Sequence, residues 1–296
     1  MTVAASSGFA CINIVGTKYN GERGQSGGRT GVFELQYALK HNPQPDGEKM
    51  EAELRGSTNF TDRSDYSAAL MYLGRNKEAV QLLESLEKEK PGEFYVAGNL
   101  GTAYELCGDN ESALHWIKEE IQRDPDAHEG TEWLHVKILE AKIAQQKDPD
   151  YFKKHSVLEL NPDQMPEKAS QIVRVNDSDM PTYELSRAIE HQLSERLKFV
   201  KPPDAPVASL LFDYAAIEAR TKTLESAKGV LQMALDYGYP PDQVRPLMKI
   251  YGQKIFWRKF KEYFVYTSAG LLAVGLLAML YKRRIFVLSS KDLKRK

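Results

Sequence analysis

Residues 65–125 read DYSAALMYLGRNKEAVQLLESLEKEKPGEFYVAGNLGTAYELCGDNESALHWIKEEIQRDP, and this stretch repeats itself at a fixed step. Gly74 returns as Gly108, Ala79 as Ala113 and Pro91 as Pro125, each 34 residues later. A constant period of this size marks one supersecondary unit used twice. In the first copy Tyr66, Leu70 and Leu73 make an apolar helical stripe, and Ala79, Leu82, Leu83 and Leu86 make a second one after the turn at Gly74. In the second copy Leu100, Gly101 and Tyr104 fall on the first helix, Ala113 and Ile117 on the second. A small residue lets two helix axes approach, a large one fills the adjoining groove, and the closing proline stops the second helix. Leu134 lies 34 residues beyond Leu100, which predicts a third helix over 129–146 in the same register.

Outward from the repeats the pattern loosens. Asp148-Pro149-Asp150 and Asn161-Pro162 break the chain, so 148–182 is expected to be an irregular connector. Leu185, Ile189, Leu193 and Leu197 restore a helical stripe, and Leu210, Leu211, Tyr214, Ala215, Ala227, Leu231, Ala234 and Pro240 outline a degenerate repeat, giving a unit over 183–240. Upstream, seven glycines between residues 8 and 31 lie among polar residues, and 1–59 is expected to be a flexible segment with a weak helix over 32–40. Its glycines do not make a phosphate loop, because Arg29 follows Gly28 and Arg23 stands where the first glycine belongs.

From Tyr263 to Tyr281 there is no charged residue. At about 1.5 Å per residue this segment matches a hydrocarbon core of roughly 30 Å, with tyrosines at both ends where amphipathic rings favour the interface. A juxtamembrane helix over 241–262, a transmembrane helix over 263–281 and a basic tail over 282–296 are therefore expected. The tail is the more basic flank, which places it in the cytosol and the repeats on the exported side. Residues 1–10 carry no intact export signal, although Gly8-Phe9-Ala10-Cys11 faintly resembles the end of a lipoprotein signal. A start assigned too far downstream would account for this; the alternative is a tail-anchored protein whose repeats stay in the cytosol.

A 34-residue unit with these small residues and a terminal proline resembles the tetratricopeptide repeat. The runs Gly101-Thr102-Ala103-Tyr104-Glu105-Leu106, Ala113-Leu114-His115-Trp116-Ile117-Lys118 and Glu132-Trp133-Leu134-His135-Val136-Lys137 look like exported tetratricopeptide-repeat proteins common in the Bacteroidetes. The resemblance spans roughly 60–240. It implies an all-α, short helical-hairpin solenoid that binds protein partners in a concave groove. Its groove positions carry over to Asp65 and Ala68 in the first unit, to Tyr95, Asn99, Thr102 and Glu105 in the second, and to Glu132 on the third helix, with Ser64, Met71, Glu129, Val136 and Glu140 beside them. Asn99 is the strongest of these, since its amide can pair with both groups of a ligand backbone. The cations that clamp a terminal carboxylate in chaperone-docking members are absent from these positions, and the glutamates favour a basic or polar segment.

Acidic and basic residues nearly cancel, 41 against 40, so a nucleic-acid partner is not expected. Two cysteines, Cys11 and Cys107, have no neighbours at metal-ligand spacing, and Cys107 is read as a packing residue. His128, Glu132 and His135 fall at spacings of four and three on the expected third helix and could contribute metal ligands, but a polar helix face explains them as well. No G-x-S-x-G elbow occurs. The chain is thus expected to be a membrane-anchored adaptor, not an enzyme, with no cofactor, no catalytic residue and no small-molecule ligand. The alternatives are a structural brace of an envelope complex and, more weakly, a metal-dependent enzyme built on His128 and His135.

Overall fold

The computed structural model describes residues 13–27, 35, 45–160, 165–166, 168, 170–175 and 178–293. The expected weak helix over 32–40, the lipoprotein-like segment, Asn161-Pro162 and Gly28-Arg29 lie outside the described residues, Leu35 excepted. Helix dominates, at 73% of the chain, and the helices pack in adjacent pairs. The first three are α1 (Gly47–Leu54), α2 (Phe60–Tyr72) and α3 (Asn76–Glu89); then come α4 (Phe94–Leu106), α5 (Asn110–Arg123) and α6 (Glu132–Lys147). After the connector follow α7 (Thr182–Phe199), α8 (Ala205–Thr221), α9 (Leu224–Asp236) and the long α10 (Pro241–Leu293).

The 34-residue period is visible in the backbone. Helices α2 and α4 end on glycines with positive φ, Gly74 at 74° and Gly108 at 84°. In both, the next residue's N–H reaches back to the last turn, Arg75 to Leu70 O and Asp109 to Tyr104 O. This satisfies carbonyls that a helix end leaves orphaned, and the left-handed conformation is one that glycine adopts without strain. The same closure recurs at Gly238 after α9, where Tyr239 N donates to Ala234 O. Starts are capped too: Asn59 accepts from Thr61 and Asp62 N–H groups, Asp109 from Ser112, Asp204 from Val207 and Thr223 from Ser226. Between α4 and α5 the helices touch at Gly101, where a Cβ would lie 2.4 Å from Ile117 Cδ1.

Two hydrophobic centres result. One joins α2, α3 and α4 through Leu70, Leu83, Leu86, Val96 and Leu100. The larger unites α6 to α9 and the start of α10 around Leu134, Leu185, Ile189, Leu210 and Tyr214. Phe199 at the end of α7 packs against the first centre and stacks on Tyr72 at 5.0 Å, so α7 bridges the two.

Four sequence expectations need correction. The segment 1–59 is not uniformly irregular: β1 (Asn13–Thr17) and β2 (Arg23–Gly27) form an antiparallel hairpin, and α1 packs on α2. The hairpin is held by tertiary partners, since Glu225 accepts from Thr17 N–H and Oγ1, Arg258 Nε donates to Thr17 Oγ1, and Lys254 Nζ donates to Tyr19 O. The connector contains a 3-10 turn at Tyr151–Lys153 and a second hairpin, β3 (Ile172–Val175) with β4 (Ser178–Pro181). The third helix starts later than expected, because His128 and Glu129 adopt left-handed backbone (φ 50° and 61°) and separate a short turn, Ala127–Gly130, from α6. Cys107 is not a packing residue; it is an exposed free thiol capping α4.

Helix α10 contains one segment long and apolar enough to cross a membrane, with mean hydropathy 1.8 in its most apolar window and no buried residue there. It is continuous with the helix that packs on α9.

Candidate functional site

The concave side of the repeats is not an open groove. Helix α7 lies along it, and a cavity of about 260 Å³ remains between them. Ala68, Asn99 and Thr102 line this cavity as their groove positions imply, facing Glu195, Phe199 and Val200 from α7. Asn99 donates a 3.3 Å hydrogen bond to Ser64 Oγ. Asp65 and Tyr95, expected in the groove, are not among the lining residues: Asp65 is exposed, and Tyr95 packs edge-on against Phe60 and Phe94.

Glu105 and Glu132 line the cavity but are occupied from within. Glu105, with 8% of its side chain exposed, meets Arg196 Nη1 at 2.6 Å, Lys142 Nζ at 2.8 Å and His135 Nε2 at 2.8 Å. Burial alone would raise its pKa, yet Arg196, His135 and Lys142 outweigh burial and hold it well below the usual carboxylate range. Glu132 meets His135 Nδ1 at 2.9 Å and accepts a 3.1 Å hydrogen bond from Gln192 Nε2. His135 therefore sits between two carboxylates, which raise its pKa against the opposing effect of burial, and both ring nitrogens donate. The glutamates read as a rim for a basic partner are instead the cement between α4, α6 and α7.

Deeper in the cavity is a residue the sequence reading passed over. Glu120 on α5 is 1% exposed, and no hydrogen bond reaches either of its carboxylate oxygens. Its nearest cationic contact is His128 Nε2, at a long 3.4 Å. Burial raises the Glu120 pKa, while Glu120 beside it pushes the half-exposed His128 up to about 9. Gly98 makes room for this carboxylate, since a Cβ there would stand 2.2 Å from Glu120 Oε1. Glu120, His128 and Glu132 bring one donor atom each within 4.8 Å of one another, a grouping that could hold a metal ion. This is not the trio at helical spacing, because His128 is off the helix and His135 is committed to Glu105 and Glu132. A sequence signal for Glu120 existed: it lies seven residues after Ala113 and three after Ile117, on the apolar stripe of α5, where the first repeat has the buried Leu86, 34 residues earlier.

A second concavity lies against α8, lined by Phe152, His155, Ser156, Asp213 and Tyr239 among others. Asp213 is 2% exposed and its carboxyl is pushed up to about 8 by burial, in spite of contacts from Leu158 N–H and Ser156. Between its ordinary pKa near 3.8 and its folded value, the folded chain holds a proton that the unfolded chain has released. Stability from this group is therefore greatest at low pH and falls as pH rises toward 8. In Asp213→Asn the loss should disappear: wild type minus variant, measured by urea unfolding from pH 5 to 8, should become steadily less favourable to wild type, by on the order of a few kcal/mol.

No protein-family model matches the chain, and comparison with curated proteins gives no match.

Proposed function

We propose that the chain is a membrane-tethered helical-repeat module that binds a protein partner, with the cavity between α4 and α7 as the receiving site. The observation that carries this reading is the cavity itself, which keeps Asn99 and Thr102 on its wall while α7 closes the remainder of the concave side. A volume of about 260 Å³ suits one or two side chains of a partner segment rather than a full extended peptide. Support for the repeat assignment comes from the recurrence of glycine closure at Gly74, Gly108 and Gly238 in helical hairpins, as in tetratricopeptide repeats of the exported Bacteroidetes type. Support for tethering comes from the unburied apolar segment of α10, preceded by exposed Phe256, Trp257 and Phe260 at the depth an aromatic belt would occupy. Anchoring raises the effective concentration of the module toward a partner in the same membrane. The excess of positive charge in the tail favours repeats on the exported side.

The occupancy of the groove by α7 favours a second reading, a structural brace that makes its contacts through outer faces. The two readings part in one experiment. A partner that copurifies with full-length protein from membranes should be lost with the Asn99→Ala, Thr102→Ala double variant and kept with Lys118→Ala on the exposed side of α5. Retention by the double variant and loss with Lys118→Ala would support the brace.

A further inference from the structure

We propose that Glu120, His128 and Glu132, joined by His191 from α7, form a binding site for a first-row divalent transition metal of the zinc class. The inference stands apart from the protein-binding reading, since it concerns the inner end of the cavity and not its mouth.

Four observations converge. The donor atoms of Glu120, His128 and Glu132 already lie within 4.8 Å of one another. Metal–ligand bonds of about 2.0–2.2 Å would draw them somewhat closer. Glu120 is buried with neither oxygen hydrogen-bonded, which is costly for a carboxylate in the interior and is resolved by a coordinated cation. His191 also lines the cavity; its Nε2 is buried without a hydrogen-bond partner, and its ring centre is 6.1 Å from that of His128. Glu132 is oriented from behind by Gln192 and His135, as metal-binding carboxylates are held by an outer layer of hydrogen bonds.

The donor set defines the ion. Two carboxylates and two neutral imidazoles balance a dication, and mixed nitrogen and oxygen ligands suit zinc, iron(II) or manganese(II) better than calcium or magnesium. The ligands come from α5, from the turn at Ala127–Gly130, from α6 and from α7. A bound ion would therefore fasten α7 to the last repeat.

The test uses untagged full-length protein in detergent, stripped with chelator and titrated with zinc by calorimetry, then with cobalt(II) by visible absorption. One equivalent of zinc and cobalt bands of a low-symmetry nitrogen and oxygen site are expected. Glu120→Gln and His128→Ala should each weaken zinc by about 100-fold or more, while His115→Ala on the exposed face of α5 should not. Circular dichroism checks that each variant is folded; His128 is half-exposed, so its removal leaves the core intact. Absence of stoichiometric zinc in wild type, or affinity unchanged in both ligand variants, overturns the proposal.

Discussion

Glu105→Ala is expected to lower the free energy of unfolding by about 3–5 kcal/mol, the usual cost of removing one member of a buried charge cluster. The substitution deletes one anion and strands three cationic side chains, of which Arg196 is only 9% exposed and His135 10%. It acts across the boundary between the repeats and α7, so the loss should appear first as faster amide exchange in α7. Urea unfolding followed by tryptophan fluorescence gives the magnitude, and exchange mass spectrometry gives the place. The pH dependence has a definite sign. The Glu105 pKa is depressed in the folded chain, so its stabilising effect is present above the ordinary value near 4.5 and is lost as pH falls below it. His135 has a raised pKa, so its share is fully present below 6.5 and fades as pH rises through the folded value. A wild-type loss of under 1 kcal/mol on substitution would mean that water already screens the cluster.

Glu120→Leu should do the opposite in metal-free protein and raise stability by roughly 1–3 kcal/mol. Leucine is what the first repeat carries at the equivalent position, where Leu86 is fully buried. The substitution removes a buried carboxylate without hydrogen bonds and leaves His128 half-exposed, free to be solvated. Chelator-treated wild type and variant compared by denaturant midpoint provide the measurement. A destabilised variant would mean that the His128 contact outweighs the burial of the carboxylate.

The hairpins were legible because each depends on residues near in sequence. A glycine that must take positive φ, an alanine between two helices and a proline stop are all readable within one period, and they stand where the 34-residue spacing puts them. Asn99, Thr102 and Ala68 were placed by the same local logic. The position of α7 was not legible, because Glu105 and Arg196 are separated by 91 residues and neither side chain announces the other. For that reason Glu105 and Glu132 read as surface charges. The β1–β2 hairpin escaped notice for a related reason: a glycine-rich composition looks loose, and what fixes Thr17 is Glu225 and Arg258, more than 200 residues away. Glu120 was the exception, visible by laying one repeat on the other and asking why a leucine position holds a charge.

Helix α10 runs without interruption from its contacts with α9 and β1 into the apolar segment, and Lys259, Phe260, Lys261 and Glu262 separate the buried Arg258 from Tyr263. No glycine or proline lies among these four residues to act as a swivel. The head and the proposed span are thus geared together: inserting one residue in this stretch would swing the whole head by about 100° about the helix axis and lift it by about 1.5 Å. The direction in which the cavity mouth points, toward neighbours in the bilayer plane, is fixed by helical phase and not by free tumbling on a leash.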